Sequence, residues 1–312
     1  LMIRRPPRST QGVSSAASDV YKRQLATDTL TKKHRRGAGL TKVQNIPYFA
    51  EMAEEYLSGV ENIIFIGSRP PVSFFAYPGK KSFLSPDEAN LIEVATPEQD
   101  GKYALKALND LCKGKKIDSL FLPSGLIDTP TGGELNVKNL GPLMASLLPE
   151  DTIISNESGT SGFIFASYVW DAKPCDWLSI TGGSIGQGIP VATGAAVAAP
   201  DRPVVCLQGD GGAMYTIQAL WTQAREGLNV TNIIFSNKSY AILQVELERV
   251  GALETGDRAN SMLSMDNPEI DWVSLSKSLG VPAKRTVTVE EFHKAFTDGL
   301  VSEGPSLIEI VV

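Results

Sequence analysis

Residues 203–237 constrain the fold of this chain more than any other part of its sequence. They read as a buried strand over 203–208, a helix over 212–226 and a second strand over 231–236. Gly227 stands directly after the helix, where glycine commonly ends one. Because a helix between two strands is the usual crossover of parallel strands, the segment predicts a parallel sheet with helices packed against it.

The same alternation of short apolar strands and helices extends over most of the chain. Further strands are predicted over residues 60–67, 90–94, 119–123, 151–155, 177–181 and 305–312. Further helices are predicted over residues 47–57, 101–113 and 189–199, and a capping box over 288–291 begins another. We therefore predict an α/β fold with doubly wound parallel sheets, with a partial domain over residues 25–149 and a complete one over residues 150–312.

Residues 1–24 do not share this pattern. They have no apolar periodicity and carry five basic residues against one acid, Asp19. A basic, serine-rich leader is also typical of a transit peptide. The pieces MIRRPPRST and SSAASDVYKRQ, however, resemble the peptide obtained when sequencing-adapter DNA is translated at the edge of an assembled fragment. We interpret residues 1–24 as a non-native, adapter-derived leader and expect the natural protein to begin further upstream.

The composition excludes several classes of function. The net charge is −6 and no basic stripe is present in residues 25–312, so nucleic acid is not an expected partner. No apolar run approaches the roughly 18–20 residues that a membrane span needs. Cys112, Cys175 and Cys206 lie far apart and fit neither a disulfide framework nor a zinc site. We interpret them as small buried residues of a protein from a reducing cytoplasm.

Two polar residues end neighbouring strands of the predicted sheet. Asp210 follows the strand over 203–208, and Asn237 follows the strand over 231–236. Because parallel strands end at the same edge of a sheet, Asp210 and Asn237 should lie side by side where ligands of open α/β sheets bind. Carboxylate and amide oxygens suit Mg²⁺, which usually completes its coordination with phosphate oxygens and water.

Phosphate has a place to bind beside this predicted metal site. Gly211, Gly212 and Ala213 open the helix after Asp210. Their free N–H groups and the helix dipole attract an anion, and the missing side chains let a phosphate approach closely. A metal ligand followed directly by a phosphate cradle indicates a site for a metal-bound diphosphate.

The segment GDGGAMYTIQALWTQAREGLNVTNIIFSN resembles the signature of thiamine-diphosphate enzymes, in which GDG is followed, one helix and one strand later, by Asn. The wider similarity is to the acetolactate synthase and benzoylformate decarboxylase branch of that superfamily. By this resemblance, residues 25–149 are the later part of the central domain and residues 150–312 are the diphosphate-binding domain. It implies an enzyme that uses thiamine diphosphate and Mg²⁺ on 2-oxo acids, by decarboxylation, carboligation or both, and a homodimer or homotetramer for the full-length parent.

The resemblance also assigns roles to residues. It implies that Asp210, Asn237 and the backbone carbonyl of Ser239 bind Mg²⁺. It further implies that the carbonyl of Gly183 accepts a hydrogen bond from the 4′-amino group of the cofactor, and that Ile185 is the apolar wedge that bends it. The other cofactor contacts that it implies are Gly159, Thr160, Gly209, Gly211, Gly212, Ala213 and Tyr240.

A nicotinamide site is the competing interpretation of these glycines. Gly186 and Gly188 precede a helix, and Asp210 lies 24 residues after Gly186, as an acid does in dinucleotide-binding folds. Val191, however, occupies the position of the third glycine of that motif. The nicotinamide interpretation also gives Asn237 no role, so the thiamine-diphosphate site is preferred.

The resemblance leaves activation of the cofactor outside this chain. In the family, a glutamate of the pyrimidine-binding domain activates the cofactor, and neither Glu157 nor Glu246 matches its position. We therefore expect the chain alone to be inactive. A non-catalytic, cofactor-binding homologue is the alternative.

The substrate is the second open question. By the resemblance, Ile242, Leu243 and Glu246 lie on the helix that faces the substrate, and Glu246 stands where acetohydroxyacid synthases carry a tryptophan. A benzoylformate-decarboxylase-like lyase is an alternative, although His34 and His293 do not match the histidines of that enzyme. Binding of FAD at the loop that begins at Gly67 is left open.

Overall fold

The computed structural model describes residues 2–4, 23–111, 127–252 and 256–312, with residues 2–4 and 23 described by their backbone alone. The strands, in chain order, are β1 (Met2–Arg4), β2 (Arg23–Gln24), β3 (Ala26–Thr27), β4 (His34–Arg36), β5 (Gln44–Asn45), β6 (Val60–Ile66), β7 (Asn90–Ala95), β8 (Ile153–Glu157), β9 (Cys175–Ser179), β10 (Val204–Gly209), β11 (Val230–Ser236), β12 (Ala283–Thr286) and β13 (Ser306–Val311). The α-helices are α1 (Ala50–Leu57), α2 (Gly101–Leu111), α3 (Val137–Leu147), α4 (Phe163–Tyr168), α5 (Gly188–Ala198), α6 (Asp210–Thr216), α7 (Ala219–Arg225), α8 (Ala241–Arg249), α9 (Asp257–Leu263), α10 (Trp272–Ser278) and α11 (Val289–Val301). The strand predicted over 119–123 and Cys112 lie outside the described residues.

The larger sheet has seven strands in the order β12-β13-β11-β10-β8-β9-β4. All neighbouring strands from β12 to β9 run parallel, and β4 runs antiparallel to β9 at the edge. The inner strand β11 is buried at every residue, as a strand covered on both faces requires. The parallel sheet predicted from the alternation of strands and helices is therefore confirmed.

Helices cover both faces of this sheet. Along β10, Val205 and Leu207 belong to one core, whereas Val204 and Cys206 belong to the other, because successive side chains of a strand point to opposite faces. The first core is completed by residues of α3, α4 and α11, and the second by residues of α5, α7 and α10. This packing on two faces is the doubly wound α/β arrangement that the sequence predicts.

A smaller sheet of four strands has the order β2-β1-β6-β7, and β3 and β5 form a separate pair. β6 and β7 run parallel, and β1 runs antiparallel to both of its neighbours. Ala53 and Leu57 of α1 pack with Ile63 and Phe65 of β6 in the core of this part of the chain. The backbone of Met2–Arg4 thus pairs within a sheet, which the sequence analysis did not predict. The adapter-derived origin of residues 1–24 stays a prediction.

The chain divides into two compact units, residues 1–31 with 41–120 and residues 32–40 with 121–312. α3 lies in the second unit, because its Leu143 and Met144 are fully buried in the core that also contains Phe292. The limit predicted between residues 149 and 150 therefore falls inside the second unit. No helix was predicted there, and Gly141 and Pro142 lie inside it.

Strand β4 joins residues 32–40 to the edge of the larger sheet. Arg36 is 5% exposed, and its guanidinium lies 5.3 Å from the ring centre of Trp170 and 4.8 Å from that of Trp177. The His34 ring meets Trp170 edge-on at 5.2 Å. β4 is therefore held by cation–π and edge-to-face aromatic contacts, in addition to its pairing with β9.

Two predicted helix signals are confirmed. Thr288 accepts a hydrogen bond from the backbone of Glu291, and the Glu291 carboxylate accepts one from the backbone of Thr288, so the capping box begins α11. Gly227 follows α7 with φ +61°, the left-handed conformation that ends helices. The single helix predicted over 212–226 is divided into α6 and α7.

The described residues include two of the three cysteines. Cys175 and Cys206 are buried and form no disulfide. Across residues 2–4, 23–111, 127–252 and 256–312, no helix combines the length and apolar character that crossing a membrane requires.

Candidate functional site

The ends of β10 and β11 bring Asp210 and Asn237 to the same edge of the larger sheet. Gly209 of β10 pairs with Phe235 of β11, so the two strands end nearly level. Asp210 is the first residue of α6, and its Oδ2 accepts a hydrogen bond from the backbone N–H of Lys238 at 2.7 Å. Lys238 has φ +55°, a conformation unusual for a residue with a side chain, in the turn after β11. The structure thus places Asp210 beside the Asn237 segment.

Asp210 is a buried carboxylate, 3% exposed. Its Oδ1 accepts a hydrogen bond from the N–H of Gly211 at 2.8 Å. Burial raises the pKa of Asp210, and the backbone N–H groups of Gly211, Lys238 and Asn237 partly offset that effect. A nearby cation stabilises the charged form of a buried carboxylate, so bound Mg²⁺ would favour ionised Asp210.

The Asn237 side chain is oriented by residues on two sides. Its Oδ1 accepts a hydrogen bond from the N–H of Ser239 at 2.9 Å, and its Nδ2 donates to Ser161 Oγ at 3.4 Å. Gly159 and Thr160 lie in the same loop as Ser161, directly after β8. The loop that carries these two predicted diphosphate contacts therefore touches Asn237 through Ser161.

Residues 263–265 fix the turn that follows Asn237. The N–H of Met265 donates to the carbonyl of Lys238 at 2.7 Å, and the N–H of Tyr240 donates to the carbonyl of Leu263 at 2.9 Å. The Ser239 hydroxyl also donates to the carbonyl of Leu263 at 3.2 Å. This support for the predicted metal segment comes from the end of α9, and the sequence analysis did not find it.

The start of α6 has room for glycine alone. A Cβ added at Gly211 would lie 2.8 Å from ring carbons of Tyr240, and one at Gly212 would lie 2.6 Å from the Glu157 carboxylate. The predicted donors of Mg²⁺ are a carboxylate, an amide oxygen and a backbone carbonyl, all hard oxygen ligands of the kind that Mg²⁺ prefers. The residues at this edge therefore fit a metal-bound diphosphate. In the described part of the chain, no cluster of three His, Cys, Asp or Glu residues offers another metal site.

The turn between β9 and α5 carries the predicted cofactor-orienting residues. Gly182, Gly183 and Gly186 have φ of +65°, +70° and +91°, values that favour glycine. Ile185 is 55% exposed in this turn, so the apolar side chain predicted to be the wedge lies at the surface. Thr216 of α6 donates its hydroxyl to the carbonyl of Gly186 at 2.5 Å, which ties the turn to the helix that Asp210 begins.

The predicted substrate residues lie on α8, which begins directly after Tyr240. Leu243 is 47% exposed, and Ile242 is partly buried. Glu246 lies 3.8 Å from the guanidinium of Arg249, and both side chains are less than one-fifth exposed. Lys238, the basic residue that precedes this helix, forms an ion pair with Glu269 at 2.9 Å and not with Glu246. The charge of Glu246 is therefore balanced by Arg249.

Glu157 is the site residue whose role the sequence analysis missed. It ends β8, and β8 pairs with β10 through Glu157 and Gln208. Its carboxylate accepts hydrogen bonds from the N–H groups of Gly186 and Gly188. A nicotinamide site would need these N–H groups to bind the phosphates of the dinucleotide, so the contact disfavours that interpretation. The rule that places Asp210 beside Asn237 also applies to the end of β8, so the signal was present.

Comparisons with known proteins identify the family of this chain. Residues 157–310 match the family described as "Thiamine pyrophosphate enzyme, C-terminal TPP binding domain". The chain is 44% identical over 278 residues to IlvX of Mycobacterium tuberculosis, which is provisionally named an acetolactate synthase large subunit; the match covers 89% of this chain and 53% of IlvX. It is 32% identical over 193 residues to benzoylformate decarboxylase of Pseudomonas aeruginosa, covering 61% of this chain and 35% of that enzyme.

The fold comparison gives the same result. The solved structure of a thiamine diphosphate-dependent 4-hydroxybenzoylformate decarboxylase of Rhodococcus jostii RHA1 superposes with a TM-score of 0.69 at 28% identity, covering 86% of this chain and 52% of that protein. The chain thus spans about half the length, or less, of the relatives it matches. The chain belongs to the thiamine-diphosphate-dependent enzymes of the acetolactate synthase and benzoylformate decarboxylase type.

Proposed function

We propose that this chain binds thiamine diphosphate together with Mg²⁺ at the carboxyl edge of the larger sheet, as part of an acetolactate-synthase-like enzyme that acts on 2-oxo acids. The observation that carries the proposal is the buried Asp210 at the start of α6, hydrogen-bonded to the turn that follows Asn237. Asp210, Asn237 and the carbonyl of Ser239 would bind Mg²⁺, and the N–H groups that open α6 would bind the diphosphate. When bound, thiamine diphosphate supplies the electron sink that decarboxylation of a 2-oxo acid needs.

Glu157 and Glu246, the two acids considered for activating the cofactor, are both engaged in other contacts. Both oxygens of Glu157 accept backbone hydrogen bonds, and Glu246 is paired with Arg249. We therefore propose that this chain binds the cofactor without turnover by itself. Turnover by the full-length parent, as a homodimer or homotetramer, would require the glutamate that the family resemblance implies.

A benzoylformate-decarboxylase-like activity is the second candidate, because two of the similar proteins carry that kind of name. The positions of the histidines favour the synthase-like proposal instead. His34 of β4 packs on Trp170, and His293 is exposed on α11. Neither histidine lies in the segments that contain Asp210, Asn237 or Gly183.

Calorimetric titration of thiamine diphosphate in the presence of Mg²⁺ tests the metal assignment. We expect Asp210→Ala to abolish Mg²⁺-dependent binding, because it removes the charged ligand, and Asn237→Ala to weaken it. Asp201→Ala is the matched control, since Asp201 is exposed in the turn after α5. Unchanged affinity in the Asp210 variant would contradict the proposed site.

A further inference from the structure

The Glu157 carboxylate connects two segments of the proposed site. Glu157 is 8% exposed at the end of β8. Its Oε1 accepts a hydrogen bond from the N–H of Gly186 at 2.5 Å, and its Oε2 accepts one from the N–H of Gly188 at 2.6 Å. Gly186 ends the turn that carries Gly183 and Ile185, and Gly188 begins α5. One carboxylate thus determines where the turn ends and the helix begins.

The same carboxylate also contacts the start of α6. Gly212 has no space for a side chain, because a Cβ would lie 2.6 Å from Glu157 Oε1. Thr216, at the end of α6, donates to the carbonyl of Gly186. The backbone of Gly186 is therefore held at its N–H by Glu157 and at its carbonyl by Thr216.

The environment of Glu157 explains why a buried charge is tolerated there. An unpaired buried carboxylate is costly, and no Lys or Arg in the described part of the chain forms an ion pair with Glu157. Its two short bonds to N–H groups at the start of α5, together with the dipole of that helix, stabilise the negative charge. Such charge-assisted bonds are strong and directional, so they can fix a turn whose glycines are otherwise flexible.

We propose that Glu157 is a positioning residue, which holds the turn of Gly183 and Ile185 in the conformation that receives the aminopyrimidine side of the cofactor. This inference rests on the proposed function, in which the turn contacts the aminopyrimidine of the cofactor and α6 binds its diphosphate. Glu157 acts through the backbone of Gly186 and Gly188, and the diphosphate end is bound at α6 without it.

Two probes separate these roles by calorimetry. Inorganic diphosphate with Mg²⁺ tests the α6 end of the site alone, whereas thiamine diphosphate with Mg²⁺ also needs the turn. For Glu157→Gln, we expect the Kd of thiamine diphosphate to rise at least about tenfold, since the amide cannot accept both hydrogen bonds. The Kd of inorganic diphosphate should stay unchanged. Glu303→Gln is the matched control, because Glu303 is exposed just before β13, at the opposite edge of the sheet.

The outcomes distinguish the two levels of the proposal. Equal weakening of both probes, or unchanged binding of thiamine diphosphate, would overturn the positioning role and leave the proposed function intact. Failure of the unaltered chain to bind either probe would overturn the proposed function itself. If circular dichroism shows that Glu157→Gln is unfolded, Glu157→Asp replaces it, because it keeps the charge but cannot reach both N–H groups. Its affinity for thiamine diphosphate should then fall alone, and an equal fall for both probes would overturn the inference.

Discussion

Two helical glycines, Gly212 and Gly194, differ in how much space their neighbours leave for a side chain. A Cβ at Gly212 would lie 2.6 Å from Glu157 Oε1 and 2.7 Å from Gln208 Nε2, and both of those side chains are buried. A Cβ at Gly194, within α5, would meet no atom within 4 Å. Both glycines are helical, so packing determines which of them tolerates a side chain.

Alanine at these two positions should therefore change stability in opposite directions. We expect Gly212→Ala to lower the free energy of unfolding by about 1–3 kcal/mol through overpacking. Gly194→Ala should raise it by about 0.5–1 kcal/mol, because alanine favours the helix. Urea unfolding followed by circular dichroism measures both values, and shifts of the same sign would contradict this account of packing.

Site residues could be predicted where they directly follow a strand of the parallel sheet. They could not be predicted where their role depends on hydrogen bonds to a distant turn. Asp210 and Asn237 could be paired from the order of strands alone, and the hydrogen bond from Lys238 to Asp210 agrees with that pairing. The roles of Glu157 and Ser161 depend on turns whose conformation the sequence does not specify. Whether the assigned residues bind Mg²⁺ and the cofactor stays a prediction.

Among the elements, β4 shows what a sequence pattern cannot predict. Its three residues, HRR, have no apolar alternation. Its neighbour β9 supplies Asp176, which is 4% exposed and forms ion pairs with three basic side chains. These are Lys33 at 3.3 Å, Arg35 at 3.7 Å and Arg202 at 2.8 Å. Asp176 and the rest of β9 lie far from residues 33–36 along the chain. The local sequence around β4 therefore does not indicate a strand.

The His34 ring makes the attachment of β4 sensitive to pH. Burial, and next the charge of Arg36, lower the pKa of His34 from 6.5 to about 4. The unfolded chain therefore takes up this proton first, and stability falls as the pH is lowered from 6.5 to about 4. After discounting for the partial exposure of the ring, we expect a loss of about 1 kcal/mol.

Chemical unfolding of the chain and of His34→Gln, at neutral pH and near pH 4, checks this expectation. The variant should lose less stability on acidification than the unaltered chain. His293→Gln, on the exposed side of α11, is the control and should behave as the unaltered chain does. Identical pH dependence in all three proteins would show that β4 does not contribute in this way.

Helix α3 was missed for a different reason. Gly141 and Pro142 lie in its middle, and both are poor helix formers. The helix nevertheless forms because Asn136 closes a capping box with Asn139 and because Leu140 to Ala145 are buried. Tertiary packing therefore overrides local propensity here, which a single sequence does not reveal.

At the scale of the whole molecule, each of the two compact units contains a strand that the sequence pattern does not predict. The larger sheet ends in β4, and the smaller sheet includes the backbone of Met2–Arg4 between β2 and β6. The parallel pairing of β8, β9, β10, β11 and β13 agrees with the predicted alternation of strands and helices, whereas β1, β4 and β12 were not predicted. Strands of three or four residues need little apolar sequence to pair, so composition and periodicity do not identify them.

Deletion of residues 1–24 tests the interpretation of the leader. We expect Tm to change by less than about 2 °C, because a non-native segment should contribute little packing to the fold. Differential scanning calorimetry of the two chains gives the value. A decrease of several degrees would instead mean that the pairing of β1 with β6 stabilises the molecule.

The central claim is that this chain holds a cofactor through a metal ion at the carboxyl edge of the larger sheet. Calorimetric titration of the unaltered chain with thiamine diphosphate, once with Mg²⁺ and once with EDTA, tests that claim most directly. We predict saturable binding at one site per chain with Mg²⁺, and at least about tenfold weaker binding without it, since the diphosphate would then face the Asp210 carboxylate with no cation between them. No binding in either condition, or equal binding in both, would contradict the account.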